Sequence, residues 1–138
     1  MFTIKTRLIL VKEDEVVLLL QTTKQGGKYT LVGGRVEAYE YARDALVREC
    51  FEEIGIELST KNLSLVHVLH KKNGENTLTL YFTASNWAGI MQNKEPKKFE
   101  GVAWFPINDL PSNVSPTTRH IIKKFLAKKT YSEFNRIK

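Results

Sequence analysis

Three features of the sequence predict an α/β fold. Apolar or alternating runs of strand length recur in the first third and the middle of the chain, two segments carry apolar residues at helical spacing, and Gly, Asn and Pro mark the joins. One domain is expected. A chain of 138 residues with 42% hydrophobic and 26% charged content suits a single core and argues against disorder, and no linker or internal repeat divides it.

Residues 3–11, Thr-Ile-Lys-Thr-Arg-Leu-Ile-Leu-Val, begin with alternation and end in an apolar run, as a strand entering a sheet does. Lys12 to Glu15 is the turn, and Val16 to Leu20 is a second buried strand. Polar residues from Gln21 to Gln25 and the pair Gly26-Gly27 precede Tyr29-Thr-Leu-Val-Gly-Gly34. In that segment Gly33 and Gly34 permit positive φ and close backbone approach, so an amide or carbonyl there could reach a metal or phosphate. A helix is predicted from about Tyr39 to Ile54, closed by Gly55 at a position that favours glycine. Leu63 to His70 and Thr77 to Thr83 alternate on either side of Asn73-Gly74, a hairpin signal. His67 and His70, three apart, fall on opposite faces of their strand and make no metal pair. After a further strand near Trp104, Ser115-Pro116 caps a second helix with the stripe Ile121, Ile122, Phe125 and Leu126. Residues 130–138, polar and basic with two aromatics, are expected to pack loosely or to serve an interface.

On the first helix Leu46, Val47, Cys50, Phe51 and Ile54 form the face expected to be buried. Glu49, Glu52 and Glu53, at i, i+3 and i+4, share a neighbouring arc. An isolated Glu-x-x-Glu-Glu is ordinarily a solvated face. Yet like charges so spaced repel by roughly a few tenths of a kcal/mol per pair, so local stability does not account for the cluster. A cation does, since Mg²⁺ takes oxygen ligands, commonly one or two carboxylates together with substrate phosphates. Ala42 and Ala45 precede the acids on the same arc, where short side chains would leave space for a phosphate chain. Glu40 is placed in the first helical turn, which favours negative charge; a structural role and a share in a metal site are both open to it. Arg48, four residues before Glu52, can pair with it.

These residues complete the pattern G-x5-E-x7-R-E-U-x-E-E-x-G-U, with U apolar, at Gly34, Glu40, Arg48, Glu49, Glu52, Glu53, Gly55 and Ile56, with Cys50 at the first apolar position. The pattern resembles the signature of the Nudix hydrolases. The resemblance implies a Nudix α/β/α sandwich with a mixed β-sheet between helices, spanning residues 1–138 as one domain. It also implies hydrolysis of a nucleoside diphosphate linked to a moiety X, with Mg²⁺ or Mn²⁺ as cofactor. On that basis Glu49, Glu52 and Glu53 hold the metal with help from Gly34, and Arg48 orients them. Gly33, Gly34 and Arg35 meet the substrate. Val32 stands where many such sequences have Pro, Arg35 where many have His, and Tyr39 where many have Gly. The segment from Asn93 to Glu100, leading into Trp104-Phe-Pro and Asp109-Leu-Pro, resembles the region that supplies a further carboxylate in MutT-like members. Glu100 fits that role best, as metal ligand or catalytic base, with Glu95 behind it. The implied substrate is a nucleoside or deoxynucleoside triphosphate, cut to monophosphate and pyrophosphate. ADP-ribose or another dinucleotide-type compound is the alternative; a catalytically silent domain binding nucleotide or RNA is the third, and it usually lacks box acids that are all present here.

A net charge of +6 suits polyphosphate partners, and no stable nucleic-acid complex is expected. A single cysteine permits no intramolecular disulfide, and Cys50 on the apolar stripe is expected to be inert. Without a signal-type apolar core or a run of membrane-spanning length, the expectation is a cytoplasmic monomer or homodimer with no membrane contact.

Overall fold

The computed structural model describes residues 2–72 and 74–134. Asn73, in the predicted hairpin turn, and residues 135–138 of the tail lie outside the described residues. In chain order the strands are β1 (Phe2–Leu8), β2 (Val11–Lys12), β3 (Glu15–Gln21), β4 (Tyr29–Thr30), β5 (Val32–Arg35), β6 (Leu63–Lys72), β7 (Asn76–Ala84), β8 (Phe99–Pro106) and β9 (Tyr131–Phe134). The helices are α1 (Ala42–Ile54) and α2 (Pro116–Leu126).

One sheet has the order β5-β1-β7-β6-β9 and is mixed: β1 runs parallel to β7 and β6 parallel to β9, while the other neighbours are antiparallel. In the other, β3 pairs antiparallel with β2 and β4, and with β8 along nearly its whole length. Both sheets are covered on two sides. Leu8, Leu10, Val17 and Leu19 pack with Leu46, Cys50 and Ile54 of α1, whereas Ile9, Val16 and Leu18 pack with Ile121 and Ile122 of α2. Alternate residues of one strand thus enter opposite cores, which is why these strands read as unbroken apolar runs. The result is a mixed α/β sandwich with a helix on each face. Among the described residues, no helix is long and apolar enough to cross a membrane.

Helix α1 departs from its sequence reading in three ways. It starts at Ala42 rather than Tyr39, with Tyr41 at the N-cap and no side-chain capping bond. Glu40 lies before the helix because its carboxylate is engaged elsewhere, accepting from the Glu37 amide at 2.9 Å and from Arg48. The buried face is also rotated. Ala45 and Glu53 are buried with Leu46, Cys50 and Ile54, while Phe51 is 46% exposed beneath the Lys94 ammonium, 3.9 Å from its ring centroid. Finally, Ala42 and Ala45 pack inward against the core instead of opening space above the acids. The C-terminus is as predicted: Gly55 adopts φ 77° and its N–H donates to the Cys50 and Phe51 carbonyls, each at 3.1 Å.

The tail also differs from expectation. Tyr131–Phe134 is no loose segment but a fifth strand, because the edge of β6 offers it a parallel partner from Val68 to Lys71. His67 fastens it, with Nδ1 2.8 Å from the Lys129 carbonyl and Nε2 2.7 Å from Ser132 Oγ. Cys50 is fully buried, and burial raises its thiol pKa well above the ordinary value, with the Glu53 and Glu49 charges adding to the rise.

Candidate active site

Two glycines of β5 bring α1 down onto the sheet. Gly33 has φ 143°, and a Cβ there would collide with the Thr6 carbonyl of β1. A Cβ on Gly34 would stand 2.5 Å from Glu49 Oε2. The absence of side chains lets the acids of α1 lie directly over the strand: the Gly33 N–H donates to Glu53 Oε1 at 3.1 Å, and the Glu49 carboxylate covers Gly34. The Gly33 amide therefore reaches an acid and is not left pointing at the cleft.

Glu53 is only 3% exposed. Burial lifts its pKa to about 7; the Gly33 N–H and Arg7 oppose the rise, while Glu49 and Glu95 add to it. Arg48 manages the other acids. Its Nη2 donates to Glu40 Oε1 at 2.7 Å and to the Arg35 carbonyl at 3.2 Å, its Nε to Glu40 Oε2 at 3.1 Å, and its Nη1 to Glu49 at 3.1 Å and Glu52 at 3.3 Å. Arg48 thus does pair with Glu52, but Glu40 holds it in a two-point grip, and that bond is the main cause that raises the guanidinium pKa and lowers the carboxyl pKa.

The predicted acid triplet is split by this arrangement. Glu49 and Glu53 line a cleft of about 420 Å³ with Gly33, Gly34 and Arg35. Glu52 is turned to Arg48 and its side chain is 49% exposed. Among the described residues, no three acid, histidine or cysteine side chains converge closely enough to enclose a metal ion.

The two acids before Trp104 are placed differently. Glu100 is exposed at the point where the β3–β8 register shifts between Leu20 and Gln21. Glu95 instead is folded inward by a turn in which Lys98 and Phe99 both donate to its carbonyl at 2.9 Å, and Asn93 clips both ends, accepting from the Glu95 N–H and donating to the Phe99 carbonyl. The charge of Glu95 acts on Glu53. Its Oε1 is buried without a hydrogen-bond partner, with Lys98 Nζ at 3.6 Å. The orphaned Glu95 oxygen and the carboxylates of Glu49 and Glu53 are hard oxygens, the donor type that suits Mg²⁺ or Mn²⁺, although the three do not converge into a closed site.

From the acids the cleft runs into a second cavity of about 510 Å³, bounded by β1, β7 and the start of α2. Lys5, Arg7, Gln21, Gln25 and Thr30 line both. The sequence reading missed Lys5 and Arg7. Their signal was present as two cations at i and i+2 on a strand, hence on one face.

Fold and site together define a protein built to carry acids over a cation-lined cleft. The NUDIX domain model matches residues 1–127, and the chain belongs to the NUDIX family, whose enzymes hydrolyse phosphoanhydride bonds in nucleotide-type substrates, generally with a divalent metal. It is 29% identical over 117 residues, 81% of this chain and 72% of the relative, to the uncharacterized Nudix hydrolase YvcI of Bacillus subtilis. It is 28% identical over 123 residues to the NAD-capped RNA hydrolase NudC of Escherichia coli, covering 87% of this chain but 46% of that one. Among solved structures, the MutT NUDIX hydrolase of Burkholderia pseudomallei superposes with a TM-score of 0.81 at 25% identity, over 89% of this chain and 97% of that one.

Proposed function

We propose that the protein hydrolyses nucleoside or deoxynucleoside triphosphates to the monophosphate and pyrophosphate. The observation that carries the reading is the placement of Glu49 and Glu53 in a cleft that Lys5, Arg7, Arg35 and Lys98 also line, with the charge of Glu95 acting on Glu53. Acids alone would repel a polyphosphate and cations alone would not position an attacking water. Similarity to a MutT protein supports the choice of a triphosphate.

Glu49, Glu53 and Glu95, with backbone at Gly34, are the groups that would hold Mg²⁺ or Mn²⁺. When bound, such an ion neutralises phosphate charge and makes water more acidic. The remaining work falls to the chain itself. Arg48 keeps the Glu49 carboxylate aimed over Gly34, and Arg35 and Lys98 attract and align the phosphates. A carboxylate of the Glu53–Glu95 pair accepts the proton of the attacking water. The water oxygen bonds to phosphorus as the α–β phosphoanhydride bond breaks, and monophosphate and pyrophosphate separate.

Products separated by ion exchange after incubation with each nucleoside triphosphate and Mg²⁺ should be the monophosphate and intact pyrophosphate. Excess chelator should abolish turnover and added Mg²⁺ restore it. Orthophosphate as the first product, or a far higher kcat/KM for ADP-ribose than for any triphosphate, would refute the substrate; activity in chelator after metal stripping would refute the metal.

A further inference from the structure

Two cations of the acid cleft also line the cavity beyond it. Lys5 and Arg7 face α2 and, with Lys28 and Lys71, line the 510 Å³ cavity. Among the described residues, Lys5, Arg7 and Lys28 form no ion pair. Arg7 is braced by carbonyls, donating to Leu31 at 2.9 Å, and Lys71 Nζ donates to Thr117 Oγ1 at 2.9 Å. The Lys5 ammonium is held below its usual pKa, first by burial and then by the charge of Arg7. Glu75 acts on Lys5 in the opposite sense, but it is fully exposed and accepts from Thr3 Oγ1. Keeping half-buried like charges together opposes folding unless an anion joins them.

Register places hydroxyls beside these cations: Lys5 pairs with Thr79 and Arg7 with Tyr81 across β1 and β7. Tyr81 is the one aromatic side chain among the described lining residues, and it is 4% exposed with its ring packed edgewise on His67. The wall therefore presents hydrogen-bond donors and no open ring face on which a base could stack, a surface matched to phosphate oxygens. Because Lys5 and Arg7 line both cavities, a ligand extending from the acids meets them first. An anion held in the second cavity would therefore adjoin the phosphates held at the acids.

We propose that Lys5, Arg7, Lys28 and the neighbouring hydroxyls form a subsite for a phosphate monoester on the substrate's ribose, so that 2′- or 3′-phosphorylated nucleotides are preferred. The inference rests on the phosphoanhydride hydrolysis proposed for the acid end of the same cleft.

Calorimetric titration of the intact protein in Mg²⁺ with adenosine 3′,5′-bisphosphate, adenosine 2′,5′-bisphosphate and AMP tests it without turnover. One bisphosphate should bind at least about tenfold more tightly than AMP, the worth of one hydrogen bond to a charged group. Lys5→Gln should erase that preference while the thermal midpoint holds or rises, since a repelling charge is removed; if that variant does not fold, Lys28→Gln, on the loop before β4, decides. Equal affinity for all three ligands overturns the subsite, and so does a preference that survives in the folded variants. Selective bisphosphate binding by a protein that cuts no triphosphate would leave the subsite standing and refute the triphosphate assignment. Pyrophosphate release without selectivity would do the reverse.

Discussion

Arg48 answers to three carboxylates and a carbonyl at once, a task for a planar fork of donors and not for charge alone. Arg48→Lys keeps the charge and loses the two-point grip on Glu40. Turnover should fall by about tenfold or more, through freedom gained by Glu49, while circular dichroism stays native. Loss of folding in that variant would mean that Arg48 serves stability first. For the further acid, Glu95→Gln should lower kcat by about a hundredfold, in the range for removal of an acid–base group, and Glu100→Gln by far less. The reverse order would reinstate Glu100. The sequence reading ranks Glu100 first because proximity to Trp104 is all that a linear pattern offers. What brings Glu95 to Glu53 is a turn clipped by Asn93, an arrangement invisible until the loop is folded.

At the scale of elements, the α1–β5 contact rests on two adjacent glycines with different duties. Gly33 faces backbone that cannot move, and its φ of 143° lies in a region that side chains rarely adopt. Gly33→Ala should therefore destabilise the fold, by about 2 kcal/mol or more in chemical denaturation. At Gly34 the obstacle is the end of the Glu49 side chain, which can swing away. Gly34→Ala should leave stability nearly unchanged and depress activity; equal unfolding midpoints for the two variants would contradict this division. The acid helix was legible because its spacing and Gly55 are local signals. Its first turn was not, because Glu40 is recruited by Arg48 across the turn, and its buried face was misjudged because the Gly33 amide draws Glu53 inward. The strand Tyr131–Phe134 escaped for a similar reason: its polar residues form a strand only because β6 has a free edge and His67 bonds Ser132.

For the molecule as a whole, two-sided burial was legible in the apolar runs at Leu8 to Val11 and Val16 to Leu20, whereas the pairing order and the cleft between the sheets depend on contacts far apart in sequence. That cleft couples global stability to pH through Glu53. Its carboxyl titrates at about 7 when folded, well above the ordinary glutamate range, chiefly because burial penalises the charged form. The folded state consequently binds the proton more tightly. Its stabilising effect is fully present below the unfolded pKa, about 4.3, and is lost as pH rises through about 7. For metal-free protein the loss from this group amounts to at most about 4 kcal/mol, on the order of ten degrees in Tm. Other groups titrate over the same interval, so the decisive quantity is the difference between wild type and Glu53→Gln, whose amide carries no charge at any pH. Between pH 5 and 8 in chelator, wild-type Tm should drop more steeply than that of the variant. Above pH 7, Mg²⁺ should recover the wild-type loss by pairing with the ionised carboxylate, and the variant should recover less. Parallel Tm–pH curves for the two proteins would show that Glu53 is ionised throughout and that its burial is compensated without metal.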